Sequence, residues 1–281
     1  MPLVPAWAGE IRVKDDTGRE LALERPAERI IALYGAYNEI LAAMGLEDRL
    51  VGRTKADVLP PSILSRPSIG THMRPNVELV LALEPDLIIQ SSGRREATVV
   101  VEQLRRHGGN VAVFQPHSFR ELFDVIKRLG LLTGEPEAAS ALIQSLQARL
   151  EAVEERLRTV RHRPRVFFEV RYPNLLGAGR ESIVNDVIER SGGTNCLDIP
   201  KKLVRIGMEA LIKSDPQVYV IQEGPMNRSP CSPVERSHFS VLEAVREGRI
   251  LKVDEQVFSR PGPRSVDAVE ALAAFLHPER F

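Results

Sequence analysis

Two glutamates set in one repeated pattern are the most distinctive chemistry-bearing residues of this 281-residue chain. Residues 78–89 read Glu78-LVLALE-Pro85-DLII, and residues 209–220 read Glu209-ALIKSD-Pro216-QVYV. In each copy a Glu opens an apolar helical stretch, and a Pro then turns helix into strand. A carboxylate in a first helical turn is favoured by the helix dipole and offers two acceptor oxygens to a guanidinium. A single such Glu contributes only ~0.3–1 kcal/mol to its own helix. The matched pair repeats that feature once in each half of the chain.

A second set of residues could hold a small ligand. In α/β sheets ligands gather at loops that follow the C-terminal ends of strands. Those loops carry Tyr34, Tyr37 and Asn38; Arg53; His72, Met73 and Arg74; Ser91 to Arg95; Arg171 and Tyr172; Arg228; His238; and Phe258 to Arg260. The tyrosines could stack on a flat ligand or ligate a metal, or pack under their own loop. Arg260, in Arg260-Pro261-Gly262-Pro263-Arg264, suits a carboxylate or phosphate, or else holds loop carbonyls. His72 reads as a ligand contact or an ordinary hydrogen-bonding residue, and His238 as a contact or a helix cap. No His-x-His or three-His cluster appears, so a bare zinc or manganese carrier is disfavoured and no residue is read as a resident metal ligand, catalytic group or cofactor site. There is no GxSxG, P-loop or GxGxxG; Gly177-Ala178-Gly179-Arg180-Glu181-Ser182 lacks the third glycine.

The elements that must position these residues alternate strand with helix. A hairpin over 10–24 is followed by strands at 29–33, 50–52, 86–90 and 110–114, with helices near 37–44, 76–83, 96–106 and 118–129. A helix then runs from Glu135 to about Arg161 without a Gly or Pro after Pro136. Leu142, Leu146, Leu150, Val153 and Leu157 form one apolar stripe along it. Beyond it the alternation resumes: strands at 165–171, 217–222 and 249–253, helices at 182–190, 208–213, 239–246 and 265–275. The Glu–Pro pattern, Arg29-IIALY against Arg165-VFFEVRY, and Asn110-VAVF against Arg249-ILKV all recur across this helix. The reading is two similar α/β lobes with mostly parallel sheets, residues 10–132 and 164–281, bridged by one long helix over 133–163. A cleft between such lobes is a preferred place for a small ligand.

Composition bounds the function. Lys+Arg and Asp+Glu are both 38, so there is no basic excess for nucleic acid. No apolar run reaches the length of a membrane span. Residues 1–9 differ from the rest: Met1-PLVPAWA is apolar and uncharged, and Ala6-Trp7-Ala8 fits the small-x-small rule of an export cleavage site. That reads as the stub of a secretion signal, and without a cysteine at the cut the expectation is a free periplasmic protein. Cys196 and Cys231 could form a disulfide in that compartment or remain unpaired.

The stretches Arg29-IIALYGAYNEILAAMGLEDRLVG, Pro75-NVELVLALEPDLII, Leu129-GLLTGEPEAA, Gly192-GTN and Val253-DEQVFSRPGPRSVDAVEALA together resemble the class III periplasmic substrate-binding proteins of ABC importers. The resemblance implies a monomeric, non-catalytic receptor that needs no cofactor and carries vitamin B12, a ferric siderophore or haem. It implies that Glu78 and Glu209 dock on Arg pockets of a permease dimer in the inner membrane, with its ATPase subunits. It also places His72 where some relatives carry an aromatic or a haem ligand, with Tyr34 or Tyr172 as further axial candidates. The first loop, Leu33-Tyr34-Gly35-Ala36-Tyr37-Asn38-Glu39, departs from the small, Ser/Thr-rich form usual in the family. Trp7 is the one tryptophan and aromatics are 5% of the chain, so arginines outnumber rings in the candidate loops. That ranks an anionic ferric siderophore before a corrinoid, with haem compatible. The competing class is a metal- or tetrapyrrole-processing enzyme on a similar scaffold.

Overall fold

The computed structural model describes residues 9–92 and 95–281. Met1–Ala8, on which the secretion-signal reading falls, and Gly93 and Arg94 lie outside them. The chain forms two compact α/β units: the first runs to Pro116 and adds Leu122–Gln144, and the second comprises His117–Glu121 and Ser145–Phe281.

The first unit holds β1 (Ile11–Lys14), β2 (Glu20–Leu23), β3 (Ile30–Ala32), α1 (Gly35–Ala43), β4 (Leu50–Gly52), β5 (Gly70–Thr71), β6 (Arg74–Pro75), α2 (Val77–Ala82), β7 (Leu87–Ser91), α3 (Arg95–Arg106) and β8 (Val111–Phe114). Next come α4 (Phe119–Thr133) and α5 (Pro136–Leu157). The main sheet has order β4-β3-β7-β8 and is parallel throughout. Its strands are near-continuous apolar runs because helices cover both faces. Ile31, Leu33, Val80, Ile88, Leu104 and Val113 lie in its core.

The second unit holds β9 (Arg165–Arg171), β10 (Leu176–Ala178), α6 (Ile183–Arg190), β11 (Thr194–Asn195), β12 (Leu203–Arg205), α7 (Met208–Ser214), β13 (Val218–Glu223), α8 (Glu243–Arg246), β14 (Ile250–Asp254), α9 (Glu255–Phe258) and α10 (Ser265–Leu276). Its sheet order is β12-β10-β9-β13-β14, with β11 also paired to β9. β9, β13, β14 and β11 are parallel; β10 and β12 are antiparallel additions.

The repeated sequence pattern is a repeated structure. Glu78 and Glu209 are each the second residue of a short helix, α2 or α7. Each helix gives way to a left-handed non-glycine residue, Glu84 at φ 47° or Asp215 at φ 41°, directly before the proline. The carbonyl of that residue accepts from an arginine at or just before the start of the central strand: Arg29 Nε at 3.0 Å in one unit, Arg165 Nε at 2.9 Å in the other. These matched bonds, spanning 55 and 50 positions of sequence, fix where helix becomes strand, and so where the glutamate stands.

Two expectations need correction. The long helix is one unbroken piece but ends at Leu157, not near Arg161; Val160 N bonds back to Leu157 O as the chain unwinds toward Pro164. The helix expected over 239–246 is a 3-10 turn at Phe239–Val241 and the short α8, because Leu242 is extended (φ −73°, ψ 135°) with its side chain buried. Between β9 and α6 the chain forms β10 and a tight turn. A Cβ on Gly177 would stand 2.4 Å from Leu197 Cδ1, and one on Gly179 2.3 Å from Lys201 O, so only glycine fits.

Candidate ligand and docking sites

In the first unit the strand-end residues converge on one aromatic corner. Tyr34 follows β3 and is half-buried; its ring meets that of His72 edge-on, with centroids 5.7 Å apart. Tyr34 also meets Tyr37 at 5.9 Å, and Tyr37 meets Phe114 at 6.2 Å. His72, in the β5–β6 turn, is held from beneath: buried Gln90, on β7, donates to its carbonyl at 2.9 Å. Tyr34 and His72 thus present adjacent rings on a fixed base. Arg74 is exposed on β6, and half-buried Arg53 donates to the carbonyl of Thr54 at 3.3 Å.

Two candidates of this unit are core residues instead. Tyr37 is 0% exposed and its hydroxyl donates to Phe114 O at 2.5 Å. Burial pushes its phenol well above the ordinary range, which argues against a phenolate metal ligand. Asn38 is also 0% exposed; its amide donates to Asp57 Oδ2 at 3.1 Å, and the same carboxylate caps Thr54 N at 2.7 Å. Both side chains brace the loop that carries Tyr34 and are not available to a ligand.

In the second unit, Arg171 ends β9 and Tyr172 follows it; both are half-buried. Beneath them lies a buried network that the sequence reading did not single out. Glu169 and Arg236 have side chains 0% and 1% exposed and are paired by both guanidinium nitrogens, one contact measuring 2.9 Å. Tyr219 donates to Glu169 at 2.5 Å and Asn227 at 3.3 Å, and Arg236 also donates to Cys231 O. Burial alone would lower the Arg236 guanidinium; the Glu169 carboxylate outweighs it and holds it up. The partners lie far apart in sequence, so no local spacing announces them. Gln222 mirrors Gln90: buried on β13, it donates to Val170 O at 3.1 Å and accepts from Ser259 at 2.5 Å.

His238 is exposed at φ 68° and makes no side-chain cap to the turn after it, so the capping alternative fails. The half-buried Arg260 has a backbone carbonyl that accepts from Ser265 at 2.9 Å, and its charge lowers the Glu255 carboxyl. Burial outweighs this and leaves Glu255 raised, although it accepts from Met226 N at 2.7 Å. A raised folded-state carboxyl contributes stability below its unfolded pKa, and that stability is lost as pH rises through the folded value. Relative to wild type, Glu255→Gln is therefore expected to gain thermal stability as pH rises from about 4 to 7. Melting curves at both ends of that window check it; an unchanged difference between the proteins would refute it.

The cysteines are both free, which removes the disulfide option. Cys196 faces Ser214 O at 3.9 Å, whereas exposed Cys231 faces Glu235 at 3.3 Å, so each thiol has a different partner. Burial pushes the Cys196 thiol up to about 12. An aromatic disulfide reagent is expected to titrate Cys231 in the folded protein and Cys196 only after denaturation; two rapid equivalents, or none, would contradict this assignment.

Glu78 and Glu209 are both exposed. Asn76 caps α2 by accepting from Leu79 N at 2.9 Å, so Glu78 is not needed for that role. A shallow groove of about 440 Å³ lies beside it, lined by Val77, Gln103, Arg106 and His107. A larger groove, about 740 Å³, runs along α5 and α6 in the second unit. Its walls are largely charged (Glu151, Glu154, Arg158, Arg163, Asp186), and it contains none of the strand-end residues. No group of three or more His, Cys, Asp or Glu among the described residues could hold a metal ion, and no described helix is long and apolar enough to cross a membrane.

A family model described as periplasmic binding protein matches residues 30–271. The chain belongs to that family. This periplasmic binding protein is 27% identical over 276 residues to an uncharacterised ABC transporter substrate-binding lipoprotein of Bacillus subtilis, covering 96% of this chain and 87% of that one. It is 27% identical over 258 residues to a vitamin B12-binding protein of Vibrio cholerae, covering 91% of each. Among solved structures, a periplasmic haem-binding protein from Pseudomonas aeruginosa is similar at TM-score 0.78 and 27% identity, over 90% of this chain and 93% of that chain. The chain is thus a substrate-binding component of the ABC transport type, working outside the cytoplasm.

Proposed function

We propose that this chain captures a metal chelate built on a tetrapyrrole-like macrocycle, a corrinoid first and haem second, and delivers it to a membrane permease with ATPase subunits. The observation that carries the reading is the placement of rings at strand ends: Tyr34 against His72 in one unit, and Tyr172 over the Arg236 guanidinium in the other. Flat rings suit the faces and edges of a macrocycle, and Arg74 of the first unit or Arg171 and Arg260 of the second suit its acidic side chains. The end-to-end match to a vitamin B12-binding protein supports the corrinoid. Haem is supported by the Pseudomonas structure, and by Tyr34 and His72 as residue types that serve as axial ligands. The arginines of these loops also suit an anionic ferric siderophore, which is the alternative cargo. As non-enzymatic receptors do, the protein would release the chelate unchanged.

The test is an absorbance titration with cyanocobalamin, hemin and a ferric trihydroxamate in parallel. Saturable binding of cyanocobalamin or hemin is expected. Binding of the trihydroxamate alone would return the siderophore reading, and turnover of any chelate would favour the enzyme.

A further inference from the structure

The buried pair in the second unit bears directly on the ring that stands above it. The Arg236 guanidinium carbon lies 3.9 Å from the centroid of the Tyr172 ring and 5.1 Å from that of Phe239. Tyr172 and Phe239 in turn meet edge-on at 5.8 Å. Tyr172 N donates to Asn227 Oδ1 at 3.4 Å, while Asn227 Nδ2 reaches Glu169 and the carbonyl of Gln222. Arg236 grips the backbone of its own segment through Cys231 O. One planar cation therefore joins three things: a carboxylate on β9, the long segment between β13 and α8, and the ring at the end of β9. A buried ion pair is weak evidence for stability as such, since apolar residues could fill the same space at no loss. What apolar residues could not do is present a flat, charged face on which an aromatic ring stacks.

We propose that Arg236 is a positioning residue: it fixes the Tyr172 ring and the segment from Gly224 to Val241 as one wall of the chelate site, a role that rests on the reading of Tyr172 as a ligand contact. Glu169 and Tyr219 hold the guanidinium in plane, Asn227 holds Glu169, and the guanidinium holds the ring. The wall is set before ligand arrives, so little ordering cost falls on binding.

The experiment titrates the full chain and four variants with cyanocobalamin, with hemin as second probe. Tyr172→Ala removes the ring. Arg236→Lys keeps a cation against Glu169 but loses the planar face. Glu169→Gln with Arg236→Gln removes both charges together and leaves neither uncompensated. The fourth variant combines Arg236→Lys with Tyr172→Ala. The expected result is a loss of roughly 3- to 30-fold in affinity for Arg236→Lys, at unchanged circular dichroism, and for Tyr172→Ala. The combined variant is then no weaker than Tyr172→Ala alone, because Arg236 acts only through the ring. A merely structural Arg236 would give losses that add. A ligand-free readout accompanies this: ring current from Tyr172 shifts the Arg236 Nε–H resonance upfield in nitrogen-edited spectra, and Tyr172→Leu abolishes the shift. Wild-type affinity in both the Lys variant and the Gln pair, with Tyr172→Ala weakened, overturns the positioning role alone. Unchanged affinity in Tyr172→Ala overturns the ligand reading of that residue, and the positioning role falls with it.

Discussion

Replacing Arg236 by Ala is expected to cost the protein about 3–5 kcal/mol of stability, the largest loss for any single charged residue described above. The magnitude follows from what remains behind. Glu169 is 0% exposed and would be left facing Tyr219 and Asn227 with no cation to balance it. Two hydrogen-bond donors cannot replace a guanidinium at a fully buried carboxylate, so that carboxylate must either take up a proton or drag water inward. Removing both partners for apolar residues of similar volume is expected to cost far less, because no charge stays buried. Denaturant unfolding of the two variants checks this. A loss below about 1 kcal/mol for Arg236→Ala would mean that the pair is solvated in solution.

The second large effect concerns transport rather than folding. Replacing Glu78 and Glu209 together by Ala is expected to leave chelate affinity intact and to stop delivery to the permease. Both carboxylates are exposed and occupy the same position in matched helices, so their removal leaves the core and the strand-end rings untouched. Each charge-assisted contact to an arginine is worth ~1.5–3 kcal/mol, or about 10- to 150-fold in docking per glutamate. Uptake of labelled cyanocobalamin into permease-bearing proteoliposomes reads it. Normal uptake by the double variant would return both residues to a role in their own helices.

The parts of this account that were legible in sequence are those fixed by short-range rules. Pro85 and Pro216 stop a helix wherever they stand, and the left-handed Glu84 and Asp215 before them complete the same turn twice. The α5 helix was visible because nothing after Pro136 interrupts its apolar stripe, and Leu146, Leu150 and Val153 are indeed buried along it. Tyr37 took the packing alternative and Asn38 was misread, because polar tips in the first turns of α1 look exposed until the partner is known. Their partners, Phe114 O and Asp57, come from β8 and from the loop after β4. The Glu169–Arg236 pair is the extreme case: its partners lie 67 positions apart, and nothing near either residue announces the other. Gln90 and Gln222 carried a faint signal, as polar residues closing apolar central strands in both halves. What the sequence concealed is side-chain pairing across loops, which is decided by packing rather than by periodicity.

The most direct test of the central claim is a crystal structure of the full chain with cyanocobalamin bound. The account predicts the corrin against strand-end rings, either Tyr34 with His72 or Tyr172, with Tyr37 and Asn38 still buried. A corrin seated instead in the charged groove along α5 and α6, away from every one of those rings, would contradict it.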